Sequence, residues 1–351
     1  MENDNIYNLI FNPSIDLRSP TEYNKGTIPN SVNIPILDDD EYREVGTIYK
    51  TNGKVDAINL GKKIVSGEKK RSRIALWTEY IQNNHNCFVF CHKGGLRSKI
   101  AYNWITKSSV DVKRLEDGYK SYRKMILSLH DKIENYKGRW IILGGFTGSG
   151  KTRILNDFKE SINLESIANH RGSAFGKIGI QQPSQANFES LITEKYLKKR
   201  NSNIILLEDE SKLIGKTKLP GKWYDKMQMS ELILLDCNLE IRSKNIYDEY
   251  VKFSSNTKID AMELWSYYLA ALKKIRKRLG DDHYKNIKNI LNNAFKNSDE
   301  GLHLKWIKIL LEKYYDRMYG YKLKLRNKHV IFKGNEMDCR NFITNIIVDN
   351  Q

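Results

Sequence analysis

The sequence predicts an α/β protein: an N-terminal strand–loop–helix domain, then a P-loop NTPase-like parallel-sheet domain with a helical, basic C-terminal part. Three observations carry this. The apolar run 140–143 reads as a buried strand and leads into Gly145, Phe146, Thr147, Gly148, Ser149, Gly150, Lys151 and Thr152, which fit the P-loop pattern at every fixed position. A second apolar run, 87–90, delivers Cys91 to a glycine-containing loop that opens a helix. Beyond residue 237, apolar residues recur at helical spacing with Lys and Arg on the outer faces.

The P-loop residues have separate tasks. Gly145, Gly148 and Gly150 let the backbone turn so that its N–H groups point at a phosphate. Lys151 places a positive charge by the outer phosphates, and Thr152 offers a hydroxyl to Mg²⁺. A helix begins at Arg153, with its positive end toward the same anion. The pattern specifies phosphate without naming the compound. Downstream, the polar loop His170, Arg171, Gly172, Ser173, Ala174, Phe175, Gly176 suits closure over the phosphates, with Arg171 as a charge clamp. Residues 185–200 read as an amphipathic helix, and 204–207 as a continuous apolar strand ending in Glu208, Asp209, Glu210 and Ser211. A strand ending in acids is what the second Mg²⁺-facing strand of a P-loop domain needs, and spacing leaves both Glu208 and Asp209 open as the candidate. Residues 232–236 form a further core strand. There is no Asn-Lys-x-Asp guanine-reading motif, which disfavours a GTPase.

In the first segment, 15–18 read as a short strand running into a turn, and 21–23 as a capped helical turn. Cys91 stands at a strand end, followed by His92, Lys93, Gly94, Gly95, Leu96, Arg97 and Ser98, with a helix over 99–105. Loop amides, the helix N-terminus, Lys93 and Arg97 together favour a thiolate nucleophile, and the same cradle suits an anionic persulfide, perselenide or oxyanion. Cys87 reads as a core residue, and Cys237 and Cys339 have no such surroundings. The four cysteines make no zinc or redox pair pattern, so reduced thiols in the cytosol are the expected setting.

Length and charge bound the rest. The chain has 351 residues, 40% of them hydrophobic, enough for two domains with real cores. The expected boundaries are 1–130, 139–236 and 237–351, with 131–138 as connector and the last region packed on the P-loop domain. No apolar stretch reaches the roughly 18 residues of a membrane span, and the acidic, polar start does not read as a signal peptide. Fifty-nine basic against 42 acidic residues give a formal net charge of +17, which points to a polyanionic partner, nucleic acid first. The basic faces of helices over 262–279 and 302–319 are the better RNA candidates, and their aromatics read as core; a final strand is expected at 329–333. Asp38 to Glu41 and the basic runs at 62–63 and 68–73 read as solvated faces.

Asp16, Leu17, Arg18, Ser19, Pro20, Thr21, Glu22 and Tyr23, then Gly26 to Pro29 and Asn33 to Pro35, resemble the first signature of rhodanese domains, and the loop from Cys91 to Arg97 resembles their active-site loop. Thr27 stands where that signature usually has His, and Asn30 where it usually has Gly. The loop is one residue longer than in single-domain sulfurtransferases, a length shared with rhodanese-like phosphatases, although those usually carry His where Phe90 stands. A rhodanese-like domain ahead of a P-loop domain, with the 170–176 loop and the acids at 208–210, resembles the tRNA 2-selenouridine synthase family over nearly the full chain. The resemblance implies transfer of selenium from selenophosphate to wobble 2-thiouridine of tRNA, through an S-geranyl intermediate made from geranyl diphosphate. It implies Cys91 as the catalytic residue and residues 92–97 as the donor-anion loop. It also implies a diphosphate on Gly145, Thr147, Gly148, Ser149, Gly150, Lys151 and Thr152. Mg²⁺ at Thr152 with Glu208 or Asp209, a selenophosphate-producing enzyme as donor partner, and no tightly bound cofactor or membrane complete the expectation. Two other readings stay open: a P-loop ATPase or kinase whose first domain donates sulfur, and a non-catalytic tRNA-binding protein.

Overall fold

In the computed structural model, which describes residues 2–173, 175–176, 181–252 and 260–350, the chain forms two compact units. The first comprises residues 1–132 together with 183–198; the second comprises 133–182 and 199–351. The helix Gln185–Lys199, which the sequence places in the P-loop segment, therefore packs almost wholly with the first unit. Its Leu197 joins Ile6, Ile10, Phe90, Tyr122 and Ile126 in one apolar cluster, so hydrophobic contact rather than chain order decides where it belongs.

The first unit is built on a four-stranded parallel sheet. Its strands are β1 (Ser14–Asp16), β2 (Ser31–Asn33), β3 (Phe88–Phe90) and β4 (Lys113–Arg114), in the order β2-β1-β3-β4. Parallel pairing leaves both faces to be covered. The helices Asp39–Thr51, Lys54–Ile64 and Gly67–Gln82, inserted between β2 and β3, were not foreseen from the sequence. The acid run at their start is structural: Asp38 caps the first helix reciprocally with Glu41, and Glu41 pairs with Lys69 and Arg73. The 68–73 run is thus only partly a solvated face.

A buried ion pair fixes the turn after β1. Arg18 binds Asp16 through Nε and Nη2 (2.9 and 2.5 Å), donates to the Gly26 carbonyl (2.7 Å), and lies over the Tyr119 ring. Thr27 donates its hydroxyl to Asp16 (2.9 Å), and so supplies the polar partner at the position where His is usual. Asn30 has φ 60°, a left-handed conformation that asparagine tolerates better than most residues, and its amide is held by the Ile10 carbonyl.

The second unit carries a five-stranded parallel sheet. Its strands are β5 (Arg139–Gly145), β6 (Ser161–Ile162), β7 (Ile204–Glu208), β10 (Glu231–Leu235) and β11 (Val330–Gly334), ordered β11-β10-β5-β7-β6; β8 (Leu213–Ile214) and β9 (Thr217–Lys218) pair as a separate hairpin. The strand expected at 329–333 is β11, which extends the P-loop sheet on β10. The helices of the last region, including Ala261–Leu279, Asp281–Asn297 and Glu300–Leu310, form a second core around Tyr268, Leu272, Leu291 and Trp306. The helix expected over 302–319 is longer and broken in character: a π-helical segment, Leu311–Tyr315, separates Glu300–Leu310 from Asp316–Arg326. No helix among the described residues is long and apolar enough to cross a membrane.

Removing Arg18 (Arg18→Ala) leaves the Asp16 carboxylate buried and uncompensated. It is expected to cost about 3–5 kcal/mol in the first unit. Hydrogen exchange at Phe88–Phe90, β1's neighbour, should accelerate accordingly; unchanged protection would contradict the assignment.

Candidate functional sites

Each unit holds one site at the C-terminal ends of its central strands, where parallel sheets leave a crevice. In the first, β3 ends at Phe90 and the chain enters the Cys91 loop, which runs into the helix Leu96–Thr106. The Cys91 sulfur donates to the Ser98 hydroxyl (3.2 Å), which in turn donates to the Gly95 carbonyl. The loop is anchored from outside: Tyr119 and Lys120 donate their amides to the carbonyls of Cys91 and His92, and Arg114 donates to the Gly94 carbonyl (2.8 Å). Gly94 has φ 61°, and a Cβ there would overlap the Glu116 carbonyl, so this position requires glycine.

His92, Lys93, Gly95 and Leu96 are exposed, while Cys91 and Gly94 are buried. Arg97 does not extend freely toward a ligand. It grips Glu22 through both terminal nitrogens (2.5 and 3.0 Å) and lies over the Tyr42 ring. Burial opposes the charge on Glu22, but the Arg97 pair outweighs it and holds that carboxyl below the usual range. Glu22 thus ties the Pro20–Lys25 helix to the cysteine loop, a role that the sequence did not reveal. Burial lowers His92 below the ordinary imidazole value.

In the second unit, Gly145, Thr147, Gly148, Ser149, Gly150, Lys151 and Thr152 all line one cavity of about 780 Å³. Lys151 Nζ donates to the Gly145 carbonyl (2.9 Å), and the helix it opens is short, Lys151–Asn156. Arg171 and Ser173 line the same cavity; His170 does not, although burial lowers its pKa. Arg171 lies over the Tyr250 ring (4.6 Å). Ala174 falls outside the described residues. Gly172 has φ 63°, and a Cβ there would press on the carboxylates of Glu210 and Glu165, so the 170–176 loop is seated directly on the acids.

Those acids separate in role. Asp209 lines the cavity, but its carboxylate is committed: Arg326 pairs with one oxygen and the Tyr319 hydroxyl donates to the other (2.9 Å). Glu208 is fully buried; one oxygen accepts from the Glu165 amide (2.6 Å), and the other has no partner among the described residues. Burial, then the neighbouring Glu165, pushes Glu208 up to about 8. Glu210 is raised well above the carboxylate range by burial and by Glu165 and Glu208, against the pull of Lys151. The acid facing Thr152 is Glu165, whose Oε2 accepts from the Thr152 hydroxyl (3.4 Å), and the sequence reading missed it. It comes from a separate stretch of chain, brought in by the fold.

The last region grips the P-loop from the other side. Tyr319 accepts from the Gly145 amide (2.8 Å), Asn245 donates to the Gly148 carbonyl (2.9 Å), and Arg242 lies over Phe146 while paired with Asp316 (2.8 Å). Beside the cavity, and sharing Thr147, Ser173, Ile246, Tyr250 and Tyr315 with it, is an apolar crevice of about 20 Å³. Phe175, Trp306, Ile307, Leu310 and Leu311 complete its wall. Its volume is near that needed for one water, but its lining is apolar.

A cysteine loop at the end of one parallel sheet and a P-loop lining a cavity at the end of the other define a two-domain α/β protein, a rhodanese-like unit followed by a P-loop unit. The family model for a rhodanese-like domain matches residues 3–125, and that for the tRNA 2-selenouridine synthase AAA domain matches 138–349. A tRNA 2-selenouridine synthase of Shewanella halifaxensis (strain HAW-EB4) is 38% identical over 95% of this chain and 94% of its own. One of Shewanella frigidimarina (strain NCIMB 400) is 38% identical over 92% and 91%, and one of Shewanella sp. (strain MR-4) is 38% identical over 96% and 91%. A solved N-terminal domain of a protein described as ATP/GTP binding, from Clostridium difficile 630, is 38% identical over 32% of this chain and 88% of that one, at a TM-score of 0.31, too low to define a shared fold. The chain belongs to the tRNA 2-selenouridine synthase family.

Because the folded pKa of Glu208 lies above its unfolded value, its contribution to stability is complete below about 4.5 and is lost as pH rises through about 8. Glu208→Gln should flatten the fall in unfolding midpoint between those limits. An equal slope in wild type and variant would show that Glu208 is not the titrating group.

Proposed function

We propose that this chain is a tRNA-modifying transferase that replaces the sulfur of wobble 2-thiouridine by selenium, with selenophosphate as donor and geranyl diphosphate as the source of an S-geranyl intermediate. The observation that carries this reading is that family similarity spans both built sites, the Cys91 loop and the phosphate cavity, rather than either alone. Geranyl transfer forms a carbon–sulfur bond and breaks a carbon–oxygen bond, so diphosphate leaves. Lys151, the loop amides and Arg171, which line one cavity, would hold that charge. The alternative ligand, a nucleotide, has no adenine- or guanine-reading motif in the sequence.

In the selenium step the donor's selenium–phosphorus bond breaks with water and phosphate leaves. Selenium bonds C2 of the S-geranyl uridine, and the C2–sulfur bond breaks so that geranylthiol leaves. Cys91 is the proposed thiol that assists this transfer. The Cys91 sulfur bonds the Ser98 hydroxyl, and the loop amides and the exposed Lys93 would meet an anionic donor, while Arg97, committed to Glu22, would hold the loop in place. A Mg²⁺ ion fits the second site in a limited way. Among the described residues no group of three metal-type ligands is gathered, so the ion would rest on Thr152 and phosphate oxygens, with Glu165 and Glu208 nearby. It would neutralise charge on the diphosphate. Asp209 is left out because Arg326 and Tyr319 occupy it.

The test is mass spectrometry of nucleosides from 2-thiouridine tRNA given geranyl diphosphate, then selenophosphate. Geranylated and then selenated uridine is expected. Lys151→Ala should lose the geranyl product, while Cys91→Ser should keep it and lose selenation. Unchanged tRNA with added ATP consumed would overturn the proposal in favour of a P-loop ATPase; selenation by Cys91→Ser would remove the role given to the cysteine.

A further inference from the structure

The helix Asp316–Arg326 has two unlike sides. Its inner side is fully used: Asp316 pairs with Arg242, Tyr319 bonds Gly145 and Asp209, and Arg326 pairs with Asp209 and donates to the Met227 carbonyl. Its outer side is left to solvent in an unusual way. Tyr321 is 68% exposed, Leu325 65% and Met318 40%, on neighbouring positions of one face. Arg317, Lys322 and Lys324 stand among them, also exposed. A merely solvated face does not look like this: the outer face of Ala261–Leu279 carries Lys273, Lys274 and Lys277 with no exposed aromatic ring between them.

The position matters as much as the composition. Met318, Lys322 and Leu325 also line the phosphate cavity, so this face forms its rim. Lys322 reaches over to the Ser211 hydroxyl (2.7 Å) beside the acid cluster. A ligand lying along the face therefore has its next reachable group at the mouth of the site. An exposed ring beside apolar side chains and interleaved with cations suits an unpaired strand: a base stacks on the ring while phosphates meet the charges. A duplex hides its base faces and needs only the cations. The chain's surplus of positive charge supplies the complementarity.

We infer that the outer face of the helix Asp316–Arg326 is a docking surface for a single-stranded RNA loop, with Tyr321 as a stacking platform that presents an adjacent base to the phosphate cavity. This rests on the tRNA-modification reading. The surface gives that reading a specificity element: it favours a target base in an unpaired loop over one in a helix.

The experiment compares the full-length protein with Tyr321→Ala, Tyr321→Phe and Lys324→Gln variants. The probes are a stem-loop RNA with an unpaired 2-thiouridine and a blunt duplex of the same composition. Tyr321→Ala should weaken stem-loop binding by about tenfold and leave duplex binding unchanged, while Tyr321→Phe, which keeps the ring, should retain wild-type affinity. Lys324→Gln should lower the dependence of log K on log salt by about one. Binding of geranyl diphosphate to each variant should match wild type, which shows an intact cavity. Equal loss on stem-loop and duplex, or no loss in Tyr321→Ala, overturns the inference. A concentration-dependent dimer broken by Tyr321→Ala would overturn it too, by making a second copy the occupant. Wild type that binds neither RNA would instead overturn the tRNA reading on which it rests.

Discussion

The carboxylate of Asp209 holds the second unit together at its functional end. It leaves the tip of β7 and meets Arg326 and Tyr319, which stand more than a hundred residues later in the chain. Tyr319 then reaches the first amide of the P-loop, Gly145. One buried carboxylate thus links the acid strand, the phosphate loop and the C-terminal helix. Its cost of burial is offset only while both partners are present, so the late helices are part of the phosphate site rather than an appendage to it.

The same arithmetic of burial shapes the cavity. Lys151 and Arg171 stand among Glu165, Glu208 and Glu210, and the last two carboxyls are driven toward their neutral forms because that many negative charges cannot be held together out of water. A polyphosphate entering beside Lys151 would add to this negative charge. Arg171, stacked on Tyr250, lines the same cavity and can balance it.

The first unit solves a different problem. A small, short-stranded sheet must deliver one sulfur to a loop of fixed shape. It does so with buried polar anchors: Asp16 with Arg18, and Glu22 with Arg97. The residues 16–23 that resemble a rhodanese signature are these anchors, which gives the signature a mechanical meaning.

Taken alone, the sequence determined the strands that feed each site, the P-loop, the cysteine loop and the two kinds of chemistry they allow. It could do so because glycine spacing, an apolar run and a charged strand end are local properties, set by backbone sterics and burial. It did not determine which acid faces Thr152, that Asp209 is spoken for, that Arg97 is paired with Glu22, or that the helix Gln185–Lys199 joins the first unit. It read the aromatics of the helices over 262–279 and 302–319 as core, which holds for Tyr268, Trp306 and Tyr314, and it made no reading of Tyr321. Each of these depends on residues far apart in the chain meeting across a core. Only tertiary packing decides which charges share a low-dielectric space and which ring is left facing water.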